Sequence, residues 1–237
     1  MSLASAAASP ATSLRLSGPR PGWLVARFAR PQAVLSWAIV RGGRTRATTI
    51  AWCQVRDDEL PPGVDPRRLL RARLRTLGLR RPVGMLTSRA VDRFEDVSRD
   101  AGAGVHARCV ATVGLGNALR IGDPTDAGAG PTRRVGTINL VVSLSRPLAP
   151  AAQLEALSLA AEARTAAILD AQVASVRSGA PATGTGTDCI VVAAPLERQG
   201  GAYAGKHTAI GEVVGAAVYD AVHAGARRWL EERACAV

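Results

Sequence analysis

Hydrophobic positions alternate in several short stretches of the chain and follow helical spacing in three longer ones. Alternating positions or short continuous apolar runs predict strands, and the stretches that show one or the other are WLVARF (23–28), AVLSWAIV (33–40), TTIAWCQV (48–55), PVGMLTS (82–88), VHARCVATV (105–113), GTINLVVSLSRPL (136–148) and CIVVAA (189–194). Helical spacing predicts three helices, which run from Pro66 to about Leu77, from Pro150 to about Val173 and from about Thr208 to Glu232. The segment between 88 and 105 is mixed, and we expect part of it to be helical.

Local signals support several of these boundaries. Asp65 followed by Pro66 is typical of a helix N-cap and first helical residue. The Gly42–Gly43 pair predicts the turn between the second and third strands. The second helix places four apolar residues roughly on one side, and these are Leu154, Leu157, Ala161 and Ile168. Since strands and helices do not alternate strictly, we predict an α+β fold with a mixed sheet packed against helices.

The N-terminal segment differs in composition from the rest. Residues 1–22 are rich in Ala, Ser and Pro and have no continuous apolar stretch of the kind found in signal peptides. We therefore expect a disordered tail over 1–22 and one domain over 23–237. Two loops are also predicted from composition, a flexible surface loop over Gly122–Pro131 and a Gly/Thr-rich loop over Ser178–Asp188.

Composition indicates an ordinary globular domain. The chain has 237 residues, of which 47% are hydrophobic and 21% charged. None of the four cysteines is part of a C-x-x-C motif or of a zinc-finger spacing. We expect reduced thiols in a cytoplasmic protein, with Cys189 as a buried strand residue. No stretch of 18 apolar residues occurs, so no membrane span is expected.

The net charge of +11 raises the alternative of a nucleic-acid-binding protein. The basic residues are dispersed, however, apart from the segment Arg67–Arg81, where Leu70, Leu74 and Leu77 keep helical spacing. A solvated amphipathic helix explains that segment better than a nucleic-acid groove. Aromatic residues make up only 3% of the chain, which leaves few side chains for base stacking. Nucleic acid is therefore not the expected partner.

Rare residue types mark candidate chemistry. The 30 basic residues comprise 29 arginines and one lysine, Lys206, which His207 follows directly. The only asparagines, Asn117 and Asn139, lie in the glycine-marked segments TVGLGNA and GTINL. Lysine is a compact charge with a tunable pKa, a property that arginine does not share. These positions therefore point to a chemical requirement.

The segment GGAYAGKHT resembles a phosphate-binding P-loop only in part. Gly200, Gly205 and Lys206 satisfy G-x-x-x-x-G-K, but His207 stands where Ser or Thr should ligate magnesium. Nucleotide hydrolysis is therefore a minor alternative. A helix that begins at His207–Thr208 would still offer free N–H groups to an oxyanion or polar ligand.

The segment TGTGTD precedes the buried strand CIVVAA. Its glycines permit close backbone approach to a ligand, and Asp188 would lie at the N-terminal end of the strand. The alternative is an ordinary turn in which Asp188 caps local backbone groups. The residues alone leave both interpretations open.

Several segments in order resemble the adenosylcobinamide amidohydrolase family. The similarity runs from about Val34 to Val222 and rests on LSWAIVRGG, TSRAVD, CVATVGLGNALRIGDP, GTINLVV, AAEARTAAILDA, GAPATGTGTDCIVVAAP and YAGKHTAIGEVVGAAVYDAV. Where the family usually has Asn before the paired glycines, this chain has Arg41.

The resemblance implies a reaction that residue spacing does not reveal. Such enzymes hydrolyse the amide that joins the corrin ring's propionyl side chain to aminopropanol, giving adenosylcobyric acid and 1-amino-2-propanol for coenzyme B12 salvage. The implied partner is a corrinoid, whose cobalt arrives with the substrate. We therefore expect neither a separate cofactor nor a metal held by the protein, and a homo-oligomer stays open. The alternative is a non-catalytic corrinoid-binding protein of the same fold.

Amide hydrolysis needs an activated nucleophile, a stabilised oxyanion and a proton for the leaving amine. Asp188 and His207 are the candidates for base and acid, and Lys206 is the candidate for the oxyanion. The residues expected to contact the substrate are Asn117, Asn139, Thr185, Thr187, Thr208 and Glu162. Whether Thr187 or Ser36 instead forms an acyl-enzyme stays open.

Overall fold

The computed structural model describes residues 14–125 and 136–235. It contains ten strands: β1 (Leu14–Ser17), β2 (Trp23–Ser36), β3 (Gly43–Gln54), β4 (Val83–Thr87), β5 (Phe94–Asp100), β6 (His106–Val113), β7 (Ala118–Leu119), β8 (Ile138–Leu144), β9 (Gly184–Thr185) and β10 (Cys189–Pro195). The three α-helices are α1 (Pro66–Thr76), α2 (Pro150–Asp170) and α3 (Ala209–Ala234). Among the described helices, none is long and apolar enough to cross a membrane.

One mixed sheet carries eight of the strands. Its order is β4-β3-β2-β10-β8-β6-β5, and β1 pairs with β2 beside this path. Two neighbouring pairs, β8 with β10 and β3 with β4, are parallel, and the others are antiparallel. The short strands β7 and β9 form a separate antiparallel pair. This arrangement confirms the predicted α+β fold with a mixed sheet.

The two faces of the sheet bury different partners, because successive side chains of a strand point to opposite faces. Leu140, Val142 and Ile190 lie on the face that α2 and α3 cover. Val141 and Val191 lie on the other face and pack against Trp52 and Met85 from β3 and β4. The Trp52 indole donates to Asn139 O over 3.4 Å. The β3–β4 end of the sheet therefore folds over β8 and β10.

Helix α1 begins as the sequence predicts. Asp65 accepts hydrogen bonds from Arg67 N at 2.8 Å and Arg68 N at 3.3 Å, and Pro66 is the first helical residue. Leu70 and Leu74 are the buried residues of α1 and pack in a third apolar cluster with residues of β2 and β3. Helix α1 therefore forms an outer layer on the far side of β3.

Helix α2 buries mainly small residues. Its buried residues are Ala152, Gln153, Ala156, Ala160, Ala167 and Ile168. Of the four apolar residues predicted to share one side of the helix, Ile168 is buried and Leu157 and Ala161 are partly buried against the core, whereas Leu154 is 56% exposed. Alanine lets a helix backbone approach its neighbours closely, and α2 contacts both α3 and β10.

The two strands predicted over 23–28 and 33–40 are in fact one continuous strand followed by a turn. Residues 23–36 form one strand, β2, whose pairing register with β3 shifts between Arg27 and Gln32. Pro31 lies in this interval, and proline has no N–H to donate to a ladder. Residues 37–40 leave the strand and turn toward β4, where Val40 forms a bridge with Gly84. A Cβ at position 42 would lie 2.4 Å from Ala38 O, so this turn requires glycine.

Two further segments differ from the prediction. Leu14–Ser17, placed in the tail by composition, forms β1, because Leu14 is buried opposite Phe28 of β2. Residues 1–13 lie outside the described residues. Phe94–Asp100 was expected to be helical in part and is β5, whose charged residues obscure the strand pattern. Of the predicted loop Gly122–Pro131, residues 126–131 lie outside the described part.

Candidate functional site

A cavity of about 570 Å³ lies at one end of the central strands, where β8 and β10 begin and β4 ends. We call it the strand-end cavity. Its polar lining residues are Arg56, Thr87, Ser88, Asn117, Thr137, Asn139, Thr187 and Asp188. Its apolar wall consists of Trp37, Ile39, Val55, Leu60, Pro66, Met85 and Leu86, with Cys189 at the start of β10. A mostly apolar pocket with a few converging polar groups is the usual form of a small-molecule site.

Three loops converge at the polar end of the cavity. The parallel pairing of β8 with β10 places Asn139 beside Cys189, and the β7–β9 pair places Ala118 beside Thr185. Gly136 allows the loops to meet, because a Cβ there would lie 2.6 Å from both Asn117 Oδ1 and Gly116 N. The glycine-marked segments of the sequence are therefore brought together in space.

The two asparagines differ in whether their side-chain amide groups are already hydrogen-bonded within the protein. Asn139 is 1% exposed, and its Nδ2 donates to Leu86 O over 2.5 Å, so it fastens β8 to β4. Asn117 Oδ1 is buried and has no hydrogen-bond partner among the described residues. A buried acceptor without a partner costs free energy, which a ligand N–H would offset. Asn117 is therefore the more available of the two.

The Asp188 carboxylate is occupied on both oxygens. Oδ1 accepts from Ile138 N at 3.1 Å and from the Thr185 hydroxyl at 2.5 Å. Oδ2 accepts from Thr185 N at 3.0 Å and forms an ion pair with Arg164 of α2. Four donors fill the four lone-pair positions of a carboxylate. Asp188 thus connects β8, the Gly/Thr-rich loop and α2. Thr185 holds the Asp188 carboxylate in place with two hydrogen bonds.

Burial dominates the electrostatics of this ion pair. It raises the pKa of the Asp188 carboxyl above its ordinary value, while the Arg164 guanidinium and the donors from Thr185 and Ile138 oppose the shift. The Asp188 side chain is 7% exposed and that of Arg164 is 15% exposed. Removing either partner would leave the other buried and unpaired.

Thr187 and Thr137 fasten two of the loops to each other. The Thr187 hydroxyl donates to Gly136 O over 3.1 Å. The Thr137 hydroxyl lies 2.8 Å from Thr187 O and 3.3 Å from Asn139 Oδ1. Thr187 lines the cavity, whereas Ser36 does not and instead accepts from Ala38 N at 3.3 Å. Of the two hydroxyls left open by the sequence, only Thr187 is at the cavity.

Sequence reasoning missed several lining residues. Trp37 is 46% exposed, and its indole donates to Asp188 O over 2.5 Å. It lies within a predicted strand, so no local pattern shows that it turns toward the cavity. Ser88 follows β4 directly and is half-buried. Cys189 was expected to be buried, and burial raises the pKa of its thiol to about 12.

The start of α3 forms a separate region on the helix-covered side of the sheet. Lys206 pairs with Glu162 of α2, and their side chains are 66% and 56% exposed. His207 is exposed. Thr208 is the N-cap of α3, where it accepts from Gly211 N at 2.9 Å and donates to Gly205 O over 2.8 Å.

The structure therefore divides the residues predicted for one site. Asn117, Asn139, Thr187 and Asp188 line the strand-end cavity, and Thr185 supports Asp188. Glu162, Lys206, His207 and Thr208 do not line it. Among the described residues, no group of three or more His, Cys, Asp or Glu side chains is arranged to hold a metal ion.

Comparison with known proteins identifies a family model that covers nearly the whole chain. The family model described as adenosylcobinamide amidohydrolase matches residues 9–234. An adenosylcobinamide amidohydrolase of Halobacterium salinarum is 34% identical over 126 residues, which are 50% of this chain and 51% of that protein. The matched region thus spans about half the length of that curated relative.

Two solved structures are similar at low identity. A Burkholderia sp. beta-aminopeptidase is 15% identical, with 91% of this chain and 82% of that chain covered and a TM-score of 0.46. The PH0078 protein of Pyrococcus horikoshii OT3 is 12% identical, with 90% and 78% covered and a TM-score of 0.43.

Proposed function

Because the chain belongs to the adenosylcobinamide amidohydrolase family, we propose that it hydrolyses the amide of adenosylcobinamide. Water would cleave the bond between the propionyl carbonyl and the aminopropanol nitrogen. The products would be adenosylcobyric acid and 1-amino-2-propanol, within coenzyme B12 salvage. The cobalt belongs to the substrate in this reaction. With four free cysteines in the chain, we place the reaction in the cytoplasm.

The observation that carries the proposal is the strand-end cavity, which combines an apolar wall with an unsatisfied amide group. A volume of about 570 Å³ suits the amide side chain and one edge of a corrin ring. Trp37, nearly half exposed at the cavity, offers an apolar surface to the rest of the ring.

We assign Asn117 to bind the scissile amide. Its Oδ1 accepts and its Nδ2 donates, which is complementary to the N–H and C=O of a secondary amide. Its side chain has no hydrogen-bond partner among the described residues, so both groups are available. Glycines at 136 and 186 keep the space beside it free of side chains.

We assign Asp188 a positioning role and place the chemistry at the hydroxyl end of the cavity. A general base needs a lone pair directed at the proton it removes, and the four donors to Asp188 leave none free. Of the hydroxyls that line the cavity, we take those of Ser88 and Thr187 as the candidates for nucleophilic attack or for holding a water molecule; the Thr187 hydroxyl also donates to Gly136 O. His207 and Lys206 lie on the other side of the sheet, which supports a surface role for both.

A second candidate function is corrinoid binding without turnover. It is favoured by one observation: the cavity lining contains neither histidine nor lysine, the residue types that most often transfer protons or activate nucleophiles. Such a protein would use the same cavity and the same Asn117 contact.

Incubation of the purified chain with adenosylcobinamide separates the two candidates. Enzymatic turnover releases 1-amino-2-propanol and adenosylcobyric acid in equal amounts, measured by mass spectrometry over time. A corrinoid-binding protein retains intact adenosylcobinamide through gel filtration and releases no amine. Neither binding nor release from folded protein would contradict both.

A further inference from the structure

A groove rich in arginine lies at the end of the central strands that is opposite the strand-end cavity. Its two adjoining basins measure about 470 Å³ and about 810 Å³ and share Thr45, Arg46 and Leu196. Leu196 directly follows the last residue of β10, whereas the cavity contains the first, Cys189. We call this surface the basic groove, lined by the arginines Arg41, Arg44, Arg46, Arg80, Arg81 and Arg198.

Charge in the basic groove is not balanced by the protein. Among the described residues, six arginines line it and Glu197 is the single acidic one. Arg46, Arg80 and Arg81 form no ion pair with the residues that the structure describes. Like charges held together repel unless an anion lies between them.

The side chain of Arg41 is a second, independent indication that an anion binds in the groove. Its Nη2 donates to Thr45 Oγ1 at 2.7 Å and to Arg46 O at 2.9 Å, which fixes the guanidinium in one orientation. Its Nη1 is buried and without a hydrogen-bond partner among the described residues. Burial and the neighbouring charge of Arg81 both lower the pKa of Arg41. A buried guanidinium N–H that lacks a partner calls for an oxygen acceptor.

The N-terminus of α2 opens into the same groove. No side chain caps this 21-residue helix at Ala149, and Arg44 donates to Pro150 O over 3.1 Å. Free N–H groups and the positive end of the helix dipole favour an anion at this position. Gln153 is 3% exposed, lines the groove, and has no side-chain hydrogen bond to the described residues.

We propose that the basic groove binds the phosphate chain of a small anionic ligand, with inorganic pyrophosphate as its simplest representative. Arg41, Arg80 and Arg81 would bind one phosphate group. The helix start and Arg198 would bind the next, and Arg46 contacts both basins. Guanidinium groups suit phosphate because they donate two parallel hydrogen bonds. Aromatic side chains, which stack on bases in single-strand binders, are absent from the lining.

Calorimetric titration of the full chain with pyrophosphate tests the site. The informative variant is Arg46→Gln, because Arg46 is exposed, lines both basins and forms no side-chain ion pair with the described residues. The matched control is Arg71→Gln on α1, which removes the same charge from another exposed arginine. We expect pyrophosphate to bind more tightly than about 1 mM, Arg46→Gln to weaken binding about tenfold or more, and Arg71→Gln to change it less than twofold.

Three results would overturn the proposal. The first is the absence of pyrophosphate binding to the folded wild-type chain. The second is equal weakening by the two substitutions, which would mean that net charge alone attracts the anion. The third is binding of generic duplex DNA that Arg46→Gln weakens and pyrophosphate does not compete for. That third result would identify the groove as a nucleic-acid surface. None of these depends on whether adenosylcobinamide is hydrolysed.

Discussion

The strand-end cavity and the start of α3 both contain polar residues that the sequence marks as candidates for the site, but the two regions are built differently. At the cavity, the carboxylate of Asp188 is 7% exposed and receives four hydrogen bonds or ion-pair contacts. At the helix start, Lys206 is 66% exposed and has one partner, Glu162. Each region contains a residue type that is rare in the sequence, asparagine at the cavity and lysine at the helix start. Only one of them has converging loops, burial and an unsatisfied polar group.

The two regions differ in how firmly the fold holds their polar residues. Asn117 and Asp188 are held by contacts from several elements, so their positions are determined by the fold. Lys206 has one exposed ion pair, with Glu162, and His207 is exposed. Interactions in a preorganised, buried site are worth more than those on a solvated surface. Substitutions at the cavity should therefore change function more than substitutions at the start of α3.

The largest effect is expected from Asp188→Asn. Loss of the charge leaves Arg164 buried and unpaired, so the free energy of unfolding should fall by about 3 kcal/mol, and turnover should fall with it. Urea denaturation and turnover of the same preparation measure both. The control is Asp170→Asn, the same change at an exposed carboxylate that accepts from the Tyr219 hydroxyl at 2.8 Å. A fully stable Asp188→Asn protein that has lost kcat would restore the general-base role.

Asn117→Ala should reduce function without reducing stability. The substitution removes an unpartnered buried acceptor, so the melting temperature should stay the same or rise. Loss of two hydrogen bonds to the substrate amide should lower kcat/KM by about tenfold to a hundredfold. Thermal melts and steady-state kinetics provide the two values. Unchanged kcat/KM would remove Asn117 from the site.

Thr187→Val and Ser36→Ala form a matched pair of hydroxyl deletions. Thr187 lines the cavity, so its loss should lower kcat by about tenfold or more. Ser36 bonds only a nearby backbone N–H among the described residues, so its loss should cost about 1 kcal/mol of stability and leave kcat unchanged. The reverse pattern in kcat would place the reacting hydroxyl at Ser36.

The smallest effects are expected from Lys206→Arg and His207→Ala. An exposed ion pair contributes little, so stability should change by less than about 0.5 kcal/mol and kcat by less than about twofold. Composition alone leads to the opposite expectation, that Lys206→Arg loses most activity. If Lys206→Arg loses most of its turnover while keeping its melting temperature, the cavity is not the whole site.

Much of the fold follows from local pattern. The apolar stretches that form β4, β6 and β10 and the Asp65–Pro66 start of α1 are readable because each depends on neighbouring residues. The strand β5 was missed because charged residues interrupt its apolar pattern. The strand β1 was missed because its two leucines lie within a segment whose Ala, Ser and Pro content indicates disorder. Each pairs with the next strand along the chain, β5 with β6 and β1 with β2, so the weak signal lies in their own residues.

The site was harder to predict than the fold. Glycine and asparagine marked the segments around Asn117, Asn139 and Asp188, and the structure brings these together. Their convergence depends on the parallel pairing of β8 with β10 and on β3 and β4 folding over them, which local spacing does not encode. Exposure separates Lys206 from this group, and the residue type alone gave no sign of it.

The most direct test of hydrolysis is turnover of adenosylcobinamide by the wild-type chain in water enriched in oxygen-18. Hydrolysis adds one water oxygen to the propionyl carbon and a proton to the leaving nitrogen. We predict adenosylcobyric acid that carries one oxygen-18 atom, together with unlabelled 1-amino-2-propanol. Recovery of intact, unlabelled adenosylcobinamide from active concentrations of folded protein would contradict the account.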